Sequence, residues 1–368
     1  MAELKLKVSV IVCVYNEEPH LAASLRSVAK QTFPAEDYEI VIVDDGSTDS
    51  SPSICRDFVD ACRGEAPAVR YVRISHAGLS CARNEGIKQS KGEILVFIDG
   101  DAEADAMWVE MLCRTLGDRS VGITGGRINL LNTDSRWAKA LQLTRFAQVF
   151  DSRYYRNHFI GCNMAMSRES LSCVGGFHEN FISRGDEVSF LTRAHAMGAY
   201  YAPSPDAIVR HVRPTSLLAW IRTEWREKRL SALVLKCAGI PRPRFRFLCR
   251  IIKNIVYLLF PVSVVASIWR PIIIPGLIPY AIILSLDIFW RPANRVVWQN
   301  VVAEYGHARG ALLWACYCIF DACTALVGLC AGSVECLRVR PVPAFSTMPF
   351  VVQTLDTRQQ QEALKFVS

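Results

Sequence analysis

Residues Glu93–Glu103 read EILVFIDGDAE, and this stretch decides the fold. Glu93–Ile98 is almost wholly apolar, the pattern of a strand buried on both faces. It stops abruptly on Asp99-Gly100-Asp101. Two carboxylates one residue apart at a strand end can share a hard divalent cation and the ribose of a nucleotide. The intervening glycine lets the backbone approach a ligand closely. Taken alone, Asp-x-Asp is a weak signal, because a solvated acidic turn is its commoner explanation.

Working outward, strands alternate with helices. Val8–Val14 (VSVIVCV) is a buried strand, and Glu18–Gln31 is a helix with Leu21, Leu25 and Val28 on one face. Glu39–Val43 is a second strand, running into Asp44-Asp45-Gly46-Ser47. A helix over Ser50–Cys62, a strand over Val69–Ile74 and a helix over Leu79–Ser90 lead back to the opening stretch. This alternation predicts an α/β fold with right-handed crossovers and a mainly parallel sheet covered on both faces. Ligands of such sheets sit beyond the carboxyl ends of the strands, where Asp44, Asp45, Asp99 and Asp101 fall. After residue 120 the alternation loosens. Val121–Gly126, Asn163–Met166 and Ile208–Val212 read as strands. Trp137–Tyr155, Ser167–Val174 with a serine cap, and Glu187–Met197 read as helices.

Composition divides the chain further. Hydrophobic residues make up 51%, and the excess lies after residue 250. The formal charge is +7, yet residues 221–253 alone hold ten basic side chains against two acids, a net of +8. A basic block directly before an apolar one reads as a juxtamembrane segment meeting anionic headgroups. No nucleic-acid recognition motif accompanies the charge, so nucleic acid is not an expected partner. Asn254–Trp269 and Pro271–Leu286 are each sixteen uncharged residues, and Gly310–Val334 is broken only by Asp321. The first two fall short of the roughly 20 residues a span needs, and flanking apolar residues extend them. The expected organisation is a catalytic domain over 1–220, a basic segment over 221–253, three transmembrane helices within 254–337 and a polar tail over 338–368. The Arg-rich loop Arg291–Arg309 would then face the cytoplasm. One tight hairpin with a surface-lying helix stays open as an alternative. Met1–Lys7 has no apolar signal core, so the N-terminal domain is expected in the cytoplasm of a multi-pass inner-membrane protein. None of the 14 cysteines are spaced C-x-x-C, which fits buried thiols in a reducing compartment.

Six stretches in order, Val8–Glu18 (VSVIVCVYNEE), Val41–Thr48 (VIVDDGST), Gly78–Gly86 (GLSCARNEG), Glu93–Glu103, Gly161–Phe177 (GCNMAMSRESLSCVGGF) and Gly185–Gly198 (GDEVSFLTRAHAMG), resemble the family 2 glycosyltransferases. These enzymes have the nucleotide-sugar-binding GT-A fold, and the resemblance covers roughly residues 6–215. It implies that Glu17, Asp44 and Asp45 contact the base and ribose of a nucleotide-diphosphate sugar. Arg83 and Asn84 would order the pocket floor or reach the nucleotide, and Asp99 would hold the ribose. Asp101 would ligate Mn²⁺ or Mg²⁺. His211, ending a late strand, would be a further metal ligand, or else a histidine satisfied by backbone.

Family members commonly read Glu-Asp at the catalytic-base position, whereas this chain reads Asp186-Glu187. By position Glu187 is the base and Asp186 orients it. The reverse assignment stays open, as does a reading in which both acids only cap a helix. Cys13 stands where the family often has proline. The Gln-x-x-Arg-Trp motif of processive synthases is absent, which points to adding one sugar. One acid with no paired carboxylate nucleophile suits a single, inverting displacement, unlike a hydrolase's two flanking carboxyls. The expected acceptor is a lipid-linked glycan in glycan or exopolysaccharide biosynthesis. Trp220 and Trp225 would line an acceptor groove or anchor at the interface. The alternative is a non-catalytic GT-A-fold membrane subunit of a polysaccharide assembly complex; retention of Asp99, Asp101 and Glu187 argues against it.

Overall fold

The structure is a computed structural model, and it describes residues 7–118, 122–144, 148, 161–179, 185–223, 225, 297–311, 313–314 and 316. In chain order the elements are β1 (Val8–Val14), α1 (Leu21–Ala29), β2 (Tyr38–Asp44), α2 (Ser51–Ala61), β3 (Ala68–Arg73), α3 (Leu79–Gln89) and β4 (Ile94–Asp99). There follow β5 (Ala102–Ala104), α4 (Trp108–Leu116), β6 (Ile123–Leu130), α5 (Arg136–Leu143), β7 (Met164–Ser167), α6 (Arg168–Val174), α7 (Asp186–Ala196) and β8 (Tyr201–His211).

Among the described residues, those up to Leu131 and those from 161 to Val212 form one compact unit. Its sheet has eight strands in the order β3-β2-β1-β4-β7-β6-β8-β5. The first four are mutually parallel, as the alternation predicts. β1 and β2 are buried along their whole length, so every position is apolar or hydrogen-bonded. The chain runs from β1 outward through β2 and β3, then returns to β4 on the other side of β1. The crevice of such a sheet opens at this reversal, and it is flanked by the ends of β1, β2 and β4.

The other half departs from the expected parallel arrangement. β7 runs antiparallel to both β4 and β6, and β5 runs antiparallel to β8, so the sheet is mixed. β7 pairs directly with β6, the strand before it in the chain, and an antiparallel pair of this kind needs no right-handed crossover to fix its direction. β8 is longer than the predicted Ile208–Val212, because Pro203 and Pro205 suggest a loop. The ladder with β6 accommodates them by a register jump from Gly126↔Ser204 to Arg127↔Ile208. Proline is tolerated at such an irregularity, where its missing N–H is not needed. Asn163 braces the jump: its Nδ2 donates to the carbonyls of Arg127 and Ala207, both at 2.9 Å. Helix α4 packs Trp108, Val109, Leu112 and Leu116 into the core, and Trp108 Nε1 donates to Asn163 Oδ1 (2.9 Å).

Among the described residues, those from Asn132 to 148 and those from Arg213 to 316 form a second compact unit. The helix predicted over Trp137–Tyr155 is present in its first part as α5, which ends at Leu143; residues 145–147 and 149–155 of that prediction lie outside the described residues. Trp220 is buried against Trp137, with ring centroids 5.7 Å apart, and against Leu141. It therefore does not face solvent as an interfacial anchor would, whereas Trp225 is exposed. Residues 297–311 are helical, not the loop expected over Arg291–Arg309. Val297 and Val301 are buried on one face of that helix, which gives it a packing surface a loop lacks. Among the described residues no helix is long and apolar enough to cross a membrane. The first two expected spans, most of the third, most of the basic segment and the tail lie outside the described residues.

Candidate active site

The acids at the strand ends face two different surroundings. Asp44 closes β2 and is fully buried. Its Oδ1 accepts from Ser47 N–H (2.8 Å) and its Oδ2 from the Tyr71 hydroxyl (2.8 Å). Asp45 accepts from the backbone N–H of Ala77 (2.7 Å) and Gly78 (2.9 Å). Both expected donor-contacting acids thus bind the protein's own donors and tie the loops after β2 and β3 together. Beside them Tyr15 stacks on His76, with centroids 4.2 Å apart, and presents an exposed aromatic face.

At the end of β4 the carboxylates instead face one another. The Glu17 carboxyl is pushed up to about 8 by burial and then by the charges of Asp101 and Asp99. Asp99 is raised too, by burial above all and by Asp101, against the pull of Arg83. Gly100 holds the loop tight: a Cβ there would lie 3.3 Å from the Cys13 carbonyl and from Glu17 Cγ. His211 arrives from β8. Its Nδ1 is 2.6 Å from the Val212 carbonyl, which can only accept, so Nδ1 carries the proton. Nε2 faces Asp101 Oδ1 (3.4 Å) and Asp99 Oδ2 (4.0 Å). Three acids and an imidazole nitrogen thus converge at the end of β4, oxygen and nitrogen donors together. The donor set therefore fits a divalent cation, with the histidine tautomer preset by its backbone partner.

Arg83, on α3, joins this cluster to the expected base. It is buried, with Nη2 donating to Asp99 Oδ1 (3.2 Å) and Nη1 donating to Asp186 Oδ2. Its guanidinium also lies over the Phe177 ring, 5.5 Å from the centroid. A Cβ at Gly161 would collide with it, so glycine is required there. Asp186 is fully buried and Glu187 half-buried on the first turn of α7. The Glu187 carboxyl is pushed up to about 8 by burial, then by the charge of Asp186 and a hydrogen bond to it. Asn84 donates to the Phe177 carbonyl (2.8 Å) and accepts from Phe177 N–H (2.8 Å), pinning the segment after α6.

The family model described as Glycosyl transferase family 2 matches residues 9–175. The succinoglycan biosynthesis protein ExoM of Rhizobium meliloti is 30% identical over 223 residues, which are 59% of this chain and 71% of that protein. The chain belongs to glycosyl transferase family 2. Glycosyltransferase AglE of Haloferax volcanii is 32% identical over 206 residues, 55% of this chain and 66% of AglE. A mannosyltransferase of Pyrobaculum calidifontis, solved with GDP-Man and Mn²⁺, superposes with a TM-score of 0.51. That superposition covers 90% of this chain and 87% of that one at 21% identity, and it shows the shared GT-A-like fold.

Within this family 2 domain the structure brings Glu17, Asp99, Asp101 and His211 together, and it links Asp99 through Arg83 to Asp186 and Glu187. Asp44, Asp45 and Asn84 hydrogen-bond the loops around them. Sequence reasoning missed Cys162, whose Sγ lies near Asp99 and His211, and the Tyr15–His76 stack. Neither carries a local signal, because both depend on which loops meet at the sheet's edge.

Proposed function

We propose that this chain is an inverting glycosyltransferase that moves one sugar from a nucleotide-diphosphate sugar to a hydroxyl of a lipid-linked glycan. The observation that carries the reading is the single buried guanidinium of Arg83, held between Asp99 at the cation cluster and Asp186 beside Glu187. It sets the distance between the leaving-group end and the base end of one site.

Glu187 takes the proton of the attacking hydroxyl. Its pKa of about 8 lies close to working pH, where a general base is most effective. Asp186, fixed by Arg83, keeps Glu187 oriented and does not itself face the acceptor. Asp99, Asp101 and His211 would hold Mn²⁺ or Mg²⁺, which stabilises charge growing on the departing diphosphate. The Tyr15 face offers a stacking surface for the nucleobase. With one base and no carboxylate nucleophile assigned, the displacement is single and inverts the anomeric centre. The names of AglE and ExoM support a role in glycan assembly, and the Pyrobaculum complex motivates the choice of donor and cation. The basic stretch 221–253 and the apolar stretches after it motivate a membrane location, with the catalytic domain on the cytoplasmic side.

The test is incubation of the purified protein with a panel of nucleotide sugars and Mn²⁺ or Mg²⁺, reading nucleoside diphosphate release. Labelled donor is then supplied with extracted membrane lipids, and the anomeric configuration of the product is read by NMR. Label in the lipid fraction with inverted configuration is the expected result. Label only in water-soluble products overturns the lipid acceptor, and retained configuration overturns the single displacement.

A further inference from the structure

Cys162 has no part in the chemistry above, yet it is fully buried at the centre of the site. An oxygen of Asp99, Cys162 Sγ and a ring nitrogen of His211 all lie within 4.8 Å of one another. The sheet explains why. β4 and β7 run antiparallel with Phe97 paired to Met164, so Asp99, two residues after Phe97, lies level with Cys162, two residues before Met164. Both neighbours of the cysteine are immobilised. Gly161 abuts the Arg83 guanidinium, and Asn163 is held by Trp108 and by the carbonyls of Arg127 and Ala207. The thiol is thereby fixed on the Asp99 side of His211, with Asp101 also facing that imidazole.

We infer that Cys162 Sγ is a donor to the cation held by Asp99, Asp101 and His211, and that it tilts this site from Mg²⁺ toward cations that accept sulfur. The inference rests on the cation reading proposed above. Mg²⁺ is small, demands near-octahedral oxygen ligands and gives up water reluctantly. Imidazole and thiolate together favour later first-row cations, so Co²⁺ and Zn²⁺ bind more tightly than Mn²⁺, and Mg²⁺ binds most weakly. As the sulfur–metal bond forms, the thiol proton leaves to solvent.

The test uses the full chain stripped of metal, without nucleotide sugar. One equivalent of Co²⁺ should produce a sulfur-to-cobalt charge-transfer band in the near ultraviolet. The band should vanish in Cys162→Ser and persist in Cys173→Ser, which alters an exposed cysteine outside the site. By calorimetry the Co²⁺-over-Mg²⁺ preference should fall about tenfold or more in Cys162→Ser, the scale on which a lost supporting group weakens metal sites. A measurement on the unaltered chain does not depend on a variant folding: X-ray absorption with one equivalent of Zn²⁺ should show a sulfur at about 2.3 Å. A shell of nitrogen and oxygen alone, or a band that survives Cys162→Ser, overturns the thiol while leaving the cation site standing. No cation binding at all overturns the thiol and the cation reading together.

Discussion

Two pairs of adjacent acids, Asp44-Asp45 and Asp186-Glu187, stand in opposite electrostatic surroundings. The first pair ends a parallel strand and is paired locally, by backbone N–H groups, the Tyr71 hydroxyl, the half-exposed Arg73 guanidinium and the His76 ring, all within 33 residues of chain. The second pair opens helix α7 and depends on one buried guanidinium 103 positions away. Local pairing makes the first pair part of the framework. The second pair keeps an acid whose charged form is disfavoured, and that is what a proton acceptor near neutral pH needs. The cation cluster resembles the second pair: Glu17, like Glu187, is pushed up to about 8 by burial and like charges.

The harshest test of the contrast removes the shared guanidinium. Arg83→Met leaves two carboxylates without their cation, one of them fully buried. It should cost about 3–5 kcal/mol of stability in denaturant unfolding, with transfer lost. A stability change below about 1 kcal/mol would mean that the second pair is neutralised by something else. Glu187→Gln should lower turnover by about 10²- to 10⁴-fold and leave donor affinity unchanged, with Asp186→Asn milder. A reversed ranking would make Asp186 the base despite its burial. Asp101→Asn should lower turnover about a thousandfold, roughly 4 kcal/mol of barrier, with an unchanged circular dichroism spectrum. Full activity in EDTA would remove the cation from the reaction.

At saturating cation, which keeps Glu17 ionised, kcat/KM should rise as pH climbs toward about 8 and level off above it. The sign follows from the role, because a base works deprotonated and burial has raised its pKa. Below that value the slope is about tenfold per pH unit. A profile flat from pH 6 to 9 would show that Glu187 does not carry the proton. The smallest effect belongs to the framework pair. Tyr71→Phe removes one donor from Asp44 and should cost about 1 kcal/mol of stability, with transfer within a few-fold of the unaltered chain. A large loss of activity there would move Asp44 out of the framework and into the site.

The parallel half of the sheet was legible because buried strands and amphipathic helices announce themselves by local period. β1, β2 and β4 lie within a residue or two of where the sequence puts them. Helix α4 was legible too, from Trp108, Val109, Leu112 and Leu116 on one face, but it went unread. The antiparallel half was harder. β5 has three residues, too few for any period to register, and the prolines of β8 break the pattern at the point where the ladder jumps register. Helix 297–311 carried a readable apolar face at Val297 and Val301, hidden under the charge that suggested a loop.

By itself the sequence determined the strand ends, the acids placed on them and membership of family 2, because each of these rests on contiguous residues. The tertiary structure decided which acids act together. Strand order brings His211 to Asp101 and Cys162 to Asp99, and helix packing brings Arg83 to Asp186. The physical reason is that charge and coordination act over a few ångströms in space. Separation along the chain carries no information about them until the register of a mixed sheet is set.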